Sequence, residues 1–67
     1  MYKKYEELRN KEGITNYKVS EETGIPRSAF SDWKSGRSKP KVDKLQILAN
    51  YFGVPIEYFL EDINRAG

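Results

Sequence analysis

The segment Ser20-Glu-Glu-Thr-Gly24-Ile25-Pro26 constrains the fold of this chain more than any other part of its sequence. Glycine readily adopts the left-handed backbone conformation that often ends a helix, and proline at the first helical position has its φ angle already set. The segment therefore predicts that one helix ends at Gly24 and that another opens with Pro26. Two helices that cross steeply over so short a turn need a small residue in the first helix, here Ser20. They also need an apolar residue beneath the turn, here Ile25.

Helical patterns also describe the chain before this corner, and no segment alternates apolar and polar residues as a strand does. A charged stretch that ends at Gly13 predicts a first helix over about residues 2–12. Thr15 is a favourable N-cap, because its hydroxyl can accept a hydrogen bond from a backbone N–H of the first turn. The second helix is therefore predicted over residues 16–23.

The third helix is predicted to have one apolar and one polar face. Phe30 and Trp33 lie three residues apart, which places them on the same side of a helix, and we expect both to point inward. Gly36 ends this helix. The next five residues, Arg37-Ser-Lys-Pro-Lys41, are basic and contain a helix breaker, so they predict a loop.

Two further helices are predicted after the loop. The fourth, over about residues 42–52, carries an apolar stripe made of Val42, Leu45, Leu48, Ala49 and Phe52. The fifth begins at Pro55, and its stripe is made of Ile56, Phe59, Leu60 and Ile63. With no internal repeat and no linker, the sequence predicts an all-α fold in which five short helices surround one core, as a single domain over residues 1–67.

Basic residues are concentrated in the middle third of the chain. Residues 1–23 carry no net charge, residues 24–44 carry +4, and residues 45–67 carry −2. A basic region in an otherwise weakly charged chain is typical of a binding site for a polyanion such as nucleic acid. An ordinary solvated charged surface is the other interpretation of the same pattern.

The composition argues against several classes of function. The chain has no cysteine and no histidine, so disulfides, zinc fingers, thiol nucleophiles and imidazole bases are all excluded. It also has no glycine-rich phosphate loop, so we expect no enzyme activity, no metal and no cofactor. No apolar run is long enough to span a bilayer, and residues 1–12 are too charged for a signal peptide. These features predict a cytoplasmic protein that does not bind membranes.

Four sequence elements occur in a specific order: the Gly-Ile-Pro turn, the Trp-Lys-Ser-Gly helix end, the Lys-Pro loop and the ending Gly-Val-Pro-Ile-Glu-Tyr. Together they make residues 14–60 similar to the Cro/lambda-repressor-type (XRE-like) helix-turn-helix family of bacterial and phage transcriptional regulators. The resemblance implies a five-helix, lambda-repressor-like DNA-binding domain with its helix-turn-helix unit at about residues 15–36. It also implies a recognition helix over residues 27–35 in the major groove, and a homodimer, at least on DNA, that binds a palindromic operator.

The resemblance implies roles for individual residues as well. The implied base contacts are Arg27, Ser28, Ser31 and Asp32. The implied phosphate contacts are Asn16, Lys34, Ser35, Arg37, Lys39 and Lys41, with Gly36 in the same segment. Asn16 is also expected to brace the third helix. Arginine can donate two hydrogen bonds to guanine O6 and N7. A carboxylate at position 32 can accept from cytosine N4 or orient Arg27, and we favour the second role.

Several positions depart from the family pattern, among them Pro26, Arg9 and Lys34. Pro26 stands where the family often has a serine or threonine cap, which leaves the first N–H groups of the third helix without a side-chain acceptor. Arg9 and Lys34 occupy positions where the family often pairs an arginine with a glutamate. Because both residues are cationic here, we expect that ion pair to be absent.

Ile47, Tyr51 and Tyr58 lie off the apolar stripes of the fourth and fifth helices. A cluster of such residues near one corner predicts a partner surface, and we interpret it as part of a homodimer interface. An alternative function for the whole chain is a protein-interaction module, such as an antitoxin or an anti-repressor component. The polar face of the third helix disfavours this alternative, because protein-binding helices usually present aromatic or aliphatic anchors.

Overall fold

The computed structural model describes residues 1–60 of the chain, and this part is helical without a strand. The first four helices are α1 (Tyr2–Glu12), α2 (Asn16–Thr23), α3 (Arg27–Ser35) and α4 (Val42–Phe52). A fifth helix, α5, begins at residue 57 and is described as far as residue 60. The all-α prediction is confirmed, whereas the predicted contribution of Ile63 to the core falls outside the described residues. None of the described helices is long and apolar enough to cross a membrane.

The corner between α2 and α3 has the structure that its sequence predicts. Gly24 has a φ of 82°, in the left-handed region, and its N–H donates to the carbonyl oxygen of Ser20 at 2.9 Å. The Thr23 hydroxyl donates to the Val19 carbonyl oxygen at 2.7 Å and accepts from the N–H of Ile25 at 3.2 Å. Ile25 itself is buried beneath the turn. The backbone groups of this corner are thus satisfied locally, which lets α3 leave α2 after only three residues.

Pro26 corrects one detail of the prediction. Its φ of −66° suits a helix, but its ψ of 146° is extended, so Pro26 is the N-cap of α3 and the helix begins at Arg27. An extended residue is needed here because the chain must leave the buried Ile25 before it can turn into α3. No side chain caps this helix, as expected, and the Pro26 carbonyl oxygen accepts from the N–H of Ala29 at 3.0 Å.

An aromatic cluster forms the centre of the core. The Tyr5 ring of α1 stacks on the Phe30 ring of α3, with centroids 5.0 Å apart and planes inclined by 1°. Phe30 meets Trp33 edge-on at 5.3 Å, and Tyr5 meets Phe52 of α4 edge-on at 6.0 Å. The inward orientation predicted for Phe30 and Trp33 is confirmed. All five helices or the turns between them contribute to the buried core, which comprises Tyr5, Val19, Ile25, Phe30, Trp33, Leu45, Leu48, Ala49 and Phe59.

Val42 does not join the apolar stripe that was predicted for it. Leu45, Leu48 and Ala49 are buried and Phe52 is partly buried, but Val42 is 66% exposed. Val42 is the first residue of α4, and helical side chains lean toward the N-terminus of their helix. Its side chain therefore projects past the end of α4, where no other element covers it.

We predict that Phe30→Ala lowers the free energy of unfolding by about 3–5 kcal/mol, because it removes a fully buried ring and leaves a cavity. Val42→Ala is the matched control, since it also shortens an apolar side chain but at an exposed position, and its effect should stay within about 0.5 kcal/mol. Urea unfolding followed by circular dichroism measures both. Equal losses for the two variants would contradict the burial described here.

Candidate nucleic-acid interface

The surface of α3 opposite the core is polar, because the helical period separates its two kinds of residue. Phe30 and Trp33 face inward, while Arg27, Ser28 and Ser31 are exposed. The side chain of Asp32 is 39% exposed and lies at the edge of this face. The structure therefore brings the four predicted base-contacting residues to one side of one helix. We call this side, together with the loop over residues 37–41, the α3–loop surface.

Arg27 is held by an aromatic ring and not by the carboxylate that was expected to orient it. Its guanidinium carbon lies over the ring of Tyr17, 5.2 Å from the ring centroid. The preferred role of Asp32, that of orienting Arg27, is therefore wrong. The two residues are five positions apart on α3, which turns their side chains about 140° away from each other around the helix axis. Asp32 points instead toward the far end of α3.

Tyr17 is the residue of this region that sequence reasoning missed. It is the second residue of α2, and it is 56% exposed. The sequence does contain one signal. A large aromatic residue lies two positions after the N-cap Thr15 and outside the apolar pattern centred on Val19. That signal does not indicate a partner, because the partner Arg27 lies on the next helix.

Asp32 organises the start of the basic loop through both its side chain and its backbone. Its carboxylate lies 3.8 Å from a guanidinium nitrogen of Arg37. Its carbonyl oxygen accepts from the N–H of Arg37 at 2.9 Å and from the hydroxyl of Ser35 at 3.1 Å. The Ser35 hydroxyl oxygen in turn accepts from the Arg37 N–H at 3.4 Å. Two predicted phosphate contacts, Ser35 and Arg37, thus also build the loop that presents them.

The basic loop and the first turn of α4 enclose an open groove beside α3. Cationic side chains dominate its rim, and its floor is formed partly by Trp33. The full lining comprises Ala29, Trp33, Ser38, Lys39, Pro40, Lys41, Asp43 and Lys44. Lys39 and Lys41 are exposed and border the groove, which meets α3 at Ala29 and Trp33. Lys34 is also exposed, near the C-terminal end of α3.

Asn16 braces a different helix from the one that was expected. Its side-chain oxygen accepts a hydrogen bond from the Tyr5 hydroxyl at 2.6 Å, so it joins the start of α2 to α1 and not to α3. Burial raises the pKa of Tyr5 well above its ordinary value, which keeps the hydroxyl protonated as the donor of this bond. The side-chain oxygen of Asn16 already accepts this hydrogen bond. The NH₂ group of the same amide can therefore donate to a ligand.

The side chain of Arg9 makes its polar contacts within α1 and with the turn that follows it. One guanidinium nitrogen donates to the Ile14 carbonyl oxygen at 3.2 Å, and another lies 3.8 Å from a carboxylate oxygen of Glu6. The first contact joins α1 to the turn before α2, and the second lies within α1. They replace the helix-1 to helix-3 ion pair of the family, which the two cations Arg9 and Lys34 cannot make.

The three residues assigned to a dimer interface are half-buried and pack against the core of their own chain. The Tyr51 hydroxyl donates a hydrogen bond to the Glu22 carboxylate of α2, and this bond raises the pKa of Tyr51 to about 12. The Lys4 ammonium lies 4.7 Å from the centroid of the Tyr58 ring. Ile47, Tyr51 and Tyr58 therefore form no strongly exposed patch, and dimer contact through them stays a prediction.

Comparison with known proteins agrees with this geometry. The family model described as helix-turn-helix matches residues 6–59. The HTH-type transcriptional activator BcrR of Enterococcus faecalis is 30% identical over 57 residues, which are 85% of this chain and 28% of that protein. The uncharacterized HTH-type transcriptional regulator YobD of Bacillus subtilis (strain 168) is 33% identical over 54 residues, 81% of this chain and 48% of that protein. The chain thus spans less than half the length of either relative. No solved structure is significantly similar to it.

A short helix, a three-residue corner and a second helix with an exposed polar face define a DNA-binding unit of the helix-turn-helix class. The family match covers most of the chain and includes both helices of this unit. The chain therefore belongs to the helix-turn-helix family, a class of DNA-binding domains.

We predict that Tyr51→Phe destabilises the fold below pH 10 and has progressively less effect as the pH approaches 12. The pKa of Tyr51 is raised in the folded chain from an ordinary value of 10 to about 12, so the stabilisation is complete below pH 10 and is lost between these values. Because the hydrogen bond is exposed, we expect a loss of roughly 0.5 kcal/mol below pH 10. Urea titrations of both proteins at several pH values measure the difference between them. A difference that is constant up to pH 12 would contradict the role of the Glu22 contact.

Proposed function

We propose that this domain binds double-stranded DNA sequence-specifically, with α3 in the major groove, as part of a cytoplasmic regulator of the bacterial or phage type. The observation that carries the proposal is the exposed polar face of α3, whose residue Asp32 contacts Arg37 at the start of the basic loop. A helix that presents hydrogen-bonding side chains can read base edges, and a flanking basic loop can bind the phosphates on either side of the groove.

Base readout is assigned to the exposed residues at the start and middle of α3. Arg27 has the geometry to donate two hydrogen bonds to guanine O6 and N7, while Ser28 and Ser31 can donate to or accept from several bases. Asp32 can accept from cytosine N4, but its ion pair with Arg37 must then be shared or broken. Since an exposed ion pair contributes about 0–1 kcal/mol, DNA can compete with it.

Phosphate contacts are assigned to side chains that surround this face. They are Asn16, Lys34, Ser35, Arg37, Lys39 and Lys41, all of which are exposed or half-exposed. The uncapped N–H groups at the start of α3 are further donors for a phosphate oxygen. These contacts fix the position of α3 in the groove and supply affinity that does not depend on sequence.

Binding as a homodimer to a palindromic operator is part of the proposal, with Ile47, Tyr51 and Tyr58 at the contact between subunits. We propose repression as the regulatory outcome, since a regulator that covers an operator blocks access to it. The relative BcrR is named as an activator. A reporter assay must therefore exclude activation.

The protein-interaction alternative is less well supported by the surface. The exposed large hydrophobic side chains in residues 1–60 are Tyr17 and Val42, and the Tyr17 ring lies against Arg27 of α3. Binding surfaces for proteins depend on clusters of aromatic and aliphatic anchors. The α3–loop surface presents cations and hydroxyls, which suit a polyanion.

We predict that replacing two loop lysines and replacing Arg27 affect DNA binding differently. Lys39→Ala with Lys41→Ala should weaken binding to every duplex and reduce the slope of log K against log salt concentration by about two, because two phosphate contacts are lost. Arg27→Ala should mainly reduce discrimination at one guanine position, by roughly fivefold to more than a hundredfold. Selection from a random duplex pool identifies the sequence, and fluorescence anisotropy at several salt concentrations measures affinity.

A charge-matched control separates phosphate contact from the overall charge of the chain. Lys3→Ala with Lys11→Ala removes the same two charges from exposed positions of α1, outside the α3–loop surface. This control should change the salt slope little. If the selection recovers no sequence that binds better than random duplex, sequence-specific binding is wrong.

We predict further that the domain forms a dimer on a duplex with two half-sites, and that Ile47→Glu weakens this dimer. The added carboxylate would be buried at the proposed contact, which is unfavourable without a partner. Gln46→Glu is the control, because it adds the same charge at the neighbouring exposed position of α4. Sedimentation velocity with and without DNA measures the assembly, and urea unfolding verifies that both variants fold. A wild-type domain that stays monomeric on two half-sites rules out the dimer.

A further inference from the structure

Tyr17 is an exposed aromatic residue without a role in the core. More than half of its surface is open to solvent, and it is absent from the buried cluster and from the residues that pack against it. Its ring does contact one side chain, since the Arg27 guanidinium lies over it at 5.2 Å. A cation within about 6 Å of an aromatic centroid is attracted by the negative face of the ring.

The α2–α3 corner explains why these two residues meet. Tyr17 stands near the beginning of α2, and Arg27 begins α3 just after the corner. The eight residues of α2 span roughly 12 Å, and the long side chains of tyrosine and arginine can together cross that distance. The Arg27 side chain therefore lies back along α2 and is held there by the Tyr17 ring.

Arg27 is not held by a carboxylate. Within the described part of the chain, no acidic oxygen lies within 4 Å of its guanidinium, and Asp32 pairs with Arg37 instead. An ion pair would occupy the N–H donors at the edge of the guanidinium. A ring face attracts the cation without offering an acceptor oxygen, so the N–H donors that bind guanine O6 and N7 are not occupied by an ion pair.

We propose that Tyr17 is a specificity-determining residue that positions Arg27 for a guanine of the operator. The ring restricts the arginine side chain before DNA binds, so less conformational entropy is lost when the two hydrogen bonds form. This role rests on the proposed function, because it requires α3 to enter the major groove. A different role, in which the Tyr17 hydroxyl binds a phosphate, predicts another pattern of effects.

The first experiment tests the contact in the free protein. Ring currents shift the side-chain protons of Arg27, and NMR spectra of the wild type, Tyr17→Phe and Tyr17→Leu report whether an aromatic ring lies next to it. Tyr17→Phe should retain the shifts and Tyr17→Leu should remove them. Random-coil values for Arg27 in the wild type overturn the proposal without any use of DNA.

The second experiment measures discrimination at the guanine whose preference is lost in Arg27→Ala. Tyr17→Leu should reduce the preference for guanine over the other bases at this position by roughly two- to fivefold, whereas Tyr17→Phe should retain it. In the Arg27→Ala background, Tyr17→Leu should cause no further loss of discrimination. This double-mutant cycle separates positioning of Arg27 from an independent contact of Tyr17 with DNA.

The outcomes distinguish this proposal from the function on which it rests. Tyr17→Leu and Tyr17→Phe could both keep the sequence preference and lose the same affinity on all duplexes. That result indicates a phosphate contact and overturns only the positioning role. Equal effects of Tyr17→Leu with and without Arg27 overturn it as well. If no duplex is preferred over random DNA, the proposed function is wrong and the specificity role of Tyr17 is wrong with it.

Discussion

The stack of Tyr5 on Phe30 is the contact on which the arrangement of the helices depends. Tyr5 belongs to α1, yet its ring faces Phe30 of α3 and the edge of Phe52 of α4, and its hydroxyl donates to Asn16 of α2. One side chain thus links four helices. In so short a chain the core has few residues, and aromatic side chains bury a large area each. The Tyr5 hydroxyl is itself hydrogen-bonded, so burying this residue leaves no donor without an acceptor.

This contact determines how α3 is presented. Because Phe30 and Trp33 attach the inner face of α3 to the core, the outer face is not needed for core packing and can be polar. The two ends of α3 are then defined by local hydrogen bonds, at the corner after Gly24 and at the carbonyl of Asp32. The helix is therefore held by its buried face and its ends, which leaves the middle of its exposed face open to a ligand.

The helices were predictable because their ends depend on local chemistry. Gly13, Gly24, Gly36 and Gly53 each end a helix with a positive φ, and Phe30 with Trp33 identifies the inner face of α3 by spacing alone. Two of the wrong predictions have a different cause. Asn16 was assigned to the wrong helix and Arg27 to the wrong partner, because a side chain's neighbours across a corner depend on distances that no local pattern contains.

Arg27, at the start of α3, and Arg37, just after its end, are held by different kinds of contact. Arg37 is paired with Asp32 across 3.8 Å, whereas Arg27 rests on the uncharged ring of Tyr17. A phosphate that approaches Arg37 competes with an exposed carboxylate, which costs little because exposed ion pairs are weak. A guanine that approaches Arg27 has no ion pair to displace. Under the proposed function, base recognition by Arg27 and backbone binding by Arg37 are therefore prepared in different ways at the two ends of one nine-residue helix.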